Sequence, residues 1–282
     1  MSTTTNSFAQ AAPRRPSNLL LKVLGVGSCS LALGLAGCSQ EGVSCQTAHG
    51  DFAVKLFLKS NTGACSESIG GVYGVNSYQY PDKSGEPDLN RGSVAIQSED
   101  LGVVLEDAEA RTGTYPDLAN PAYAKGDWAS ARPDGDGLCN APTMVKAQKS
   151  VPALDLIPAV PDDPETPDDD ESAAEVPAEP AKTFAYDWSN VRFLVTAAAN
   201  GTQFVGDLKF TQDGCTAEYE AWGLYPAVFC DDADGNPSDA LCAAEADPAN
   251  GIPVGSGINP DFKTVCDPDL LLCMLTARPP TN

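Results

Sequence analysis

The clearest pattern of apolar and polar positions lies in FAYDWSNVRFLVTAAANGTQFVGDLKFTQDGCTAEYEAWGLYPAV, residues 184–228. Phe184, Tyr186 and Trp188 share one parity, while Val191, Phe193 and Val195 share the other. A β-bulge near Ser189-Asn190 reconciles them by keeping both sets on one inner face. Phe204, Leu208 and Phe210 then alternate with polar residues, as do Cys215, Ala217 and Tyr219. Asn200-Gly201 and Asp213-Gly214 are hairpin signals, because a type I′ turn needs positive φ at both central positions. The stretch predicts an antiparallel meander.

Upstream, FAVKLFL (52–58) and GGVYGVNSYQY (70–80) predict strands. SEDLGVVLEDAEAR (98–111) predicts one helix: Ser98 caps it, Glu99 and Asp100 fill its first turn, and Leu101, Val104, Leu105 and Ala108 form one apolar face. Gly102 costs that helix about 1 kcal/mol relative to alanine. Residues 112–138, rich in Pro, Gly, Asp and Ala, read mostly as loop. Residues 150–182, SVPALDLIPAVPDDPETPDDDESAAEVPAEPAK, carry seven prolines, ten acidic residues and no aromatic. Such a segment buries too little apolar surface to offset its ordering entropy, so its centre is expected to be disordered and open to protease over 160–180. The whole predicts a mainly β fold: an antiparallel meander or β-sandwich-like domain with one short helix, interrupted by this loop.

The N-terminal pattern differs in kind. Arg14, Arg15 and Lys22 precede an apolar stretch from Val23 to Leu35, and no acidic residue occurs in the first 37. The stretch is too short, and too rich in Gly and Ser, to span a bilayer, which takes roughly 20 apolar residues. It is built like a cleavable export signal. LAGC (Leu35 to Cys38) resembles the lipobox of bacterial lipoprotein precursors. The resemblance implies cleavage before Cys38, a diacylglyceryl group on its thiol and acylation, as by palmitate, of the new amine. Several acyl chains anchor stably where one is marginal. Ser39, in place of the Asp that favours inner-membrane retention in that family, points to the outer membrane. The implied organisation is a signal peptide over 1–37, a lipidated tether over 38–50, β-rich halves over 51–149 and 183–282, and the acidic loop over 150–182.

Charge and cysteine content narrow the function. The formal charge is −22, and loss of the three N-terminal cations makes it −25. So acidic a chain repels phosphate backbones, which excludes nucleic acid as a partner and leaves the membrane, reached through the lipid. Eight cysteines remain besides Cys29 and Cys38: Cys45, Cys65, Cys139, Cys215, Cys230, Cys242, Cys266 and Cys273. An even number in an exported chain predicts up to four disulfides, with 105 possible pairings. The short loops Cys45–Cys65, Cys230–Cys242 and Cys266–Cys273 are the expected bridges. With no C-x-x-C, neither a thioredoxin-like site nor zinc-ribbon spacing is present.

No motif specifies an activity. The single histidine, His49, lacks a G-x-S-x-G partner and reads as exposed or capping. Asp231, Asp232, Asp234 and Asp239 offer hard oxygens for Ca²⁺, the one cofactor worth weighing. EF-hand register fails, with Pro237 at position 6 and Ala243 at position 12 counted from Asp232, and Asp and Gly are ordinary turn formers. Tyr73, Tyr78 and Tyr80 with Trp128, Trp188 and Trp222 are candidates for an aromatic sugar-binding face, though strand aromatics more often pack a core. The expectation is an exported, lipid-anchored envelope protein acting as a non-enzymatic binding or structural module. The alternatives are a carboxylate-based hydrolase or a glycan or small-ligand binder, with calcium as a stabiliser.

Overall fold

The structure is a computed structural model that describes residues 43–62, 67–160, 174–250 and 252–280. The signal segment, Cys38 and Cys65 lie outside the described residues. No helix among the described residues is long and apolar enough to cross a membrane.

The strands are β1 (Gly50–Asn61), β2 (Gly70–Pro81), β3 (Pro87–Ser98), β4 (Ala124–Asp127), β5 (Leu138–Thr143), β6 (Ala147–Val151), β7 (Lys182–Val195), β8 (Asn200–Gln212), β9 (Cys215–Leu224), β10 (Thr264–Asp267) and β11 (Leu272–Leu275), with helix α1 at Glu99–Thr112. The first nine strands form one sheet in the order β4-β3-β2-β1-β9-β8-β7-β5, with β6 also on β7, and every pair is antiparallel. The sheet curls until β4 meets the β5–β6 connection. There Lys125 and Val145 exchange backbone hydrogen bonds of 3.0 and 2.7 Å. Gly126 makes this closure possible, since a Cβ there would sit 2.7 Å from Met144 Cγ and from Thr143 O.

The alternation in β7–β9 has the predicted outcome. Asn190 takes φ 51°, the β7–β8 register shifts between Ser189 and Arg192, and Phe184, Tyr186, Trp188, Val191, Phe193 and Val195 all face one core. Asp213 (φ 50°) and Gly214 (φ 82°) make the two-residue β8–β9 turn. Asn200-Gly201 does not turn the chain. The reversal spans Thr196 to Ala199, and Gly201 (φ 68°) opens β8, where a Cβ would lie 2.4 Å from Gln46 O. Its carbonyl accepts from Ala48 N, so the glycine lets the N-terminal segment lie against the sheet.

That segment is fastened well before residue 50. Cys45 bonds Cys139 across 94 residues and donates its N–H to Ala131 O, so the part of the expected 38–50 tether from residue 45 onward is fastened to the sheet. The other expected short loops are also replaced. The bridges are Cys230–Cys266 and Cys242–Cys273, and Cys215 is disulfide-bonded as well. Cys266 and Cys273 are register partners in β10 and β11, yet each reaches a different cysteine outside the hairpin.

Helix α1 forms where predicted, with Leu101, Leu105 and Ala108 buried. Ser98 occupies its N-cap without a side-chain capping bond. Strand β3 was not legible, and β4 lies within the stretch read as loop.

The acidic segment also departs from expectation at both ends. Residues 151–160 and 174–182 run antiparallel, with reciprocal hydrogen bonds between Leu154 and Glu179 and between Ile157 and Val176. Pairing at every third residue leaves Pro152, Pro158, Pro177 and Pro180, which have no N–H, at unpaired positions. Arg111 holds the root, donating to the carbonyls of Asp155 (2.5 Å) and Pro177 (3.1 Å). The middle, 161–173, lies outside the described residues. Val151 pairs with Lys182, so strands from both flanks share one sheet.

After the cis peptide Tyr225–Pro226 the chain leaves the sheet. Residues 227–280 build a cap from β10, β11, two 3₁₀ turns and loops. It packs Cys230, Cys242, Ile258, Phe262 and Cys273 on Leu138, Leu194 and Leu224, and Leu272 and Met274 on Ala53.

Candidate functional site

Alternation in β2 sends Tyr73 and Val75 into the core and leaves Gly74, Asn76, Tyr78 and Tyr80 on the outer face. Register aligns Gly74 with Gln97, Asn76 with Ala95 and Lys125, and Tyr78 with Ser93 and Asp127. These rows form a groove of about 310 Å³ lined by Asn76, Tyr78, Gln97, Tyr123 and Lys125, with Gly74 and Ala95 as its floor. Tyr78 is 52% exposed and Tyr123 45%. Lys125 Nζ lies 6.0 Å from the Tyr78 ring and 5.2 Å from that of Tyr80, and the Arg91 guanidinium lies 5.0 Å from the Tyr80 ring. Tyr80 is oriented by donating its hydroxyl to Asp127 at 2.6 Å. The side-chain amides of Asn76 and Gln97 have no hydrogen-bond partner among the described residues. A second lobe of about 310 Å³ shares Gly74, Asn76 and Gln97 and runs to the first two turns of α1, where Asp51, Glu99 and Glu106 border it.

Of the six aromatics expected on a binding face, only Tyr78 and Tyr80 are there. Tyr73 and Trp188 are core residues in edge contact at 5.8 Å, and Trp128 packs edge-on to Phe193 at 5.7 Å. Trp222 packs at a tilt against Phe57, with ring centroids 4.2 Å apart, and donates to Glu220. Tyr123, Lys125, Asn76 and Gln97 were missed. The period-two reading of β2 already puts Asn76 on the Tyr78 face, but nothing marked β3 or β4 as its neighbours.

The structure does not bring the four calcium candidates to one point. Asp232 Oδ1 accepts from the backbone N–H of Asp234 and Asn236, and Asp239 Oδ1 accepts from Cys266 N at 2.8 Å. Asp82 and Asp134 repeat the Asp232 arrangement, each accepting from N–H groups two and four residues on, with Gly at the third place. This D-x-x-G loop explains much of the turn acidity structurally. Its hydrogen bonds hold all three carboxyls below the usual range: those from Ser84 lead at Asp82, that from Leu138 N at Asp134 and that from Asn236 N at Asp232. Among the described residues, the one group of three metal-ligating types converging within 4.8 Å is Cys230, Cys242 and Cys273, all committed to disulfides.

A second hollow, about 340 Å³, lies over β7–β9 and holds Lys59, Asp187, Asp207 and Glu218. Burial pushes the Asp207 carboxyl up, but Asn190 at 2.8 Å and Lys59 at 2.9 Å outweigh it and lower it. Ser60 donates to Glu218 at 3.0 Å. A glycosidase acid needs a raised pKa; among the described residues, each carboxyl whose pKa clearly shifts moves down. His49 sits exposed with Nε2 3.1 Å from Ser77 Oγ.

Comparison with known proteins matches residues 50–226 to the MlpA family model, which covers β1–β9 and the groove. A relative, the candidate lipoprotein MlpA of Myxococcus xanthus, is 41% identical over 88 residues, which is 31% of this chain and 33% of that protein. The match thus spans about a third of the relative's length. No solved structure matches.

Proposed function

From the premise that this chain belongs to the MlpA family and is a lipoprotein, we propose that it is a non-enzymatic binding module held at the cell envelope by acyl groups on Cys38. Ser39 favours the outer membrane as its address. The observation that carries the binding reading is the groove over β2, β3 and β4, with its exposed tyrosines and with a lysine in no ion pair and two amides without partners among the described residues. Exposed aromatics beside a few convergent polar groups are what small-ligand sites require. The charged hollow over β7–β9 lacks these features: its one aromatic, Tyr219, is buried, Lys59 is paired with Asp207, and Glu218 accepts from Ser60.

The test is saturation-transfer NMR of the oxidised protein against peptide and oligosaccharide fragments released from the envelope. Wild type should enhance at least one fragment, and Tyr78→Ala should lose that signal with thermal stability intact. Equal binding by Tyr78→Ala would remove the groove as the site. The anchor is tested separately: Cys38→Ala should release the protein from the membrane fraction.

A further inference from the structure

Two glycines in the groove have no structural reason to be glycine. Gly74 lies inside β2 with ordinary φ, and the nearest atom to an added Cβ is Asp51 Oδ1 at 4.0 Å. Gly102 lies in α1, where an added Cβ would meet only Gln97 Nε2 at 3.7 Å. Glycine weakens both a strand and a helix interior. Both residues nonetheless border the same second lobe, and among the described residues nothing fills the space above them. A strand glycine without a bulge or a tight bend marks close approach by another backbone or a ligand.

The walls say what approaches. Asn76 and Gln97, one from each of two neighbouring strands, present a free amide donor and acceptor at mid-groove. The ends carry opposite charge: Lys125, with Tyr78 and Tyr123, at one and Asp51, Glu99 and Glu106 at the other. A sugar chain would call for aromatic rings along the floor; here the floor is Gly74 and Ala95, and tyrosines stand at one end only. The four steps from Gly74 to Tyr78 span about 13 Å, the reach of an extended chain of four residues, and Glu99 opens α1 just beyond the Gly74–Gln97 row.

Resting on the binding reading above, we infer that the ligand is a short extended peptide of four or five residues, its carboxylate beside Lys125 and its amine among the three carboxylates. The peptide backbone lies over Gly74 and Gly102 and exchanges hydrogen bonds with Asn76 and Gln97.

The test titrates the oxidised, full-length protein with a random tetrapeptide library having free ends. The same library N-acetylated, the same library C-amidated, and the neutral oligosaccharide chitotetraose are the comparators. The free library should bind, and each blocking group should weaken binding about tenfold. Lys125→Met should abolish the difference made by amidation, and Glu99→Gln with Glu106→Gln that made by acetylation. Gly74→Val should block binding without lowering Tm. Blocked and free libraries binding alike would overturn the inference, as would binding by Gly74→Val at wild-type strength. Chitotetraose binding without peptide would overturn the peptide assignment while leaving the groove as the site. Binding of neither probe, with envelope fragments still enhanced through Tyr78, would do the same. Loss of every signal would overturn both.

Discussion

Residues 50–226 and 227–280 hold their shape by different means. The first region is one curled sheet in which long strands put Trp188, Tyr219, Phe52, Phe193 and Phe204 into a shared core. The second has two four-residue strands, short 3₁₀ turns and loops, with Cys230–Cys266 and Cys242–Cys273 at its centre. A segment of that size cannot bury a core of its own, so it borrows one face of the sheet and is closed by covalent links. The family match ends where the sheet ends, at Pro226. The groove lies wholly in the sheet region, and the cap therefore reads as cover for apolar surface around Leu138, Leu194 and Leu224.

Breaking the sheet should cost most. Trp188→Ala removes a side chain 1% exposed that lies edge-on to Tyr73 and Phe204, and should destabilise by about 3–5 kcal/mol. A urea titration should show one lowered midpoint for sheet and cap together. Replacing Cys230 and Cys266 together by serine opens a 36-residue separation and should cost about 4 kcal/mol. Hydrogen exchange should then rise throughout the cap and change little in β7–β9.

The ion pair of Lys55 with Asp267 joins β1 of the sheet to the cap. Burial raises the Asp267 carboxyl, but the Lys55 ammonium and the N–H groups of Leu270 and Asp269 outweigh it, leaving the pKa below the usual 3.8. A carboxyl depressed in the folded state contributes stability fully above its unfolded value and loses it as pH falls through the folded value. Cap protection should therefore hold from pH 7 to about 4 and weaken below that. Asp267→Asn should cost about 1–2 kcal/mol near pH 7 and erase that acid-dependent part. Smallest is Gly102→Ala, which should stabilise α1 by about 1 kcal/mol, seen as a raised Tm, because its methyl would make only an ordinary contact with Gln97 Nε2 at 3.7 Å.

The two regions also differed in how much their sequences disclosed. Period-two alternation is readable where one face is buried and the other wet, as in β7 to β9, and there even the bulge at Asn190 was legible. Strand β3 escaped because its turn-proximal residues are polar and its Val94-Ala95-Ile96 run is buried on both faces. The paired stretches of the acidic segment follow a period of three, set by where proline can sit, so no strand rule detects them. In the cap, alternation is absent and position is set by cysteine pairing, which counting cannot resolve. Of the groove's lining only Tyr78 was visible, with Tyr80 beside it on the same face. The rest depended on β3 and β4 lying beside β2, which only the closed sheet establishes.

The claim that the sheet carries the binding surface and the cap supports it is tested most directly by amide chemical-shift mapping of the oxidised protein on adding the free-ended tetrapeptide library. The account predicts shifts concentrated at Gly74, Asn76, Gln97, Gly102 and Lys125, with residues 227–280 unmoved. Shifts clustered in the cap, or over the charged hollow at Asp187 and Asp207, would contradict it.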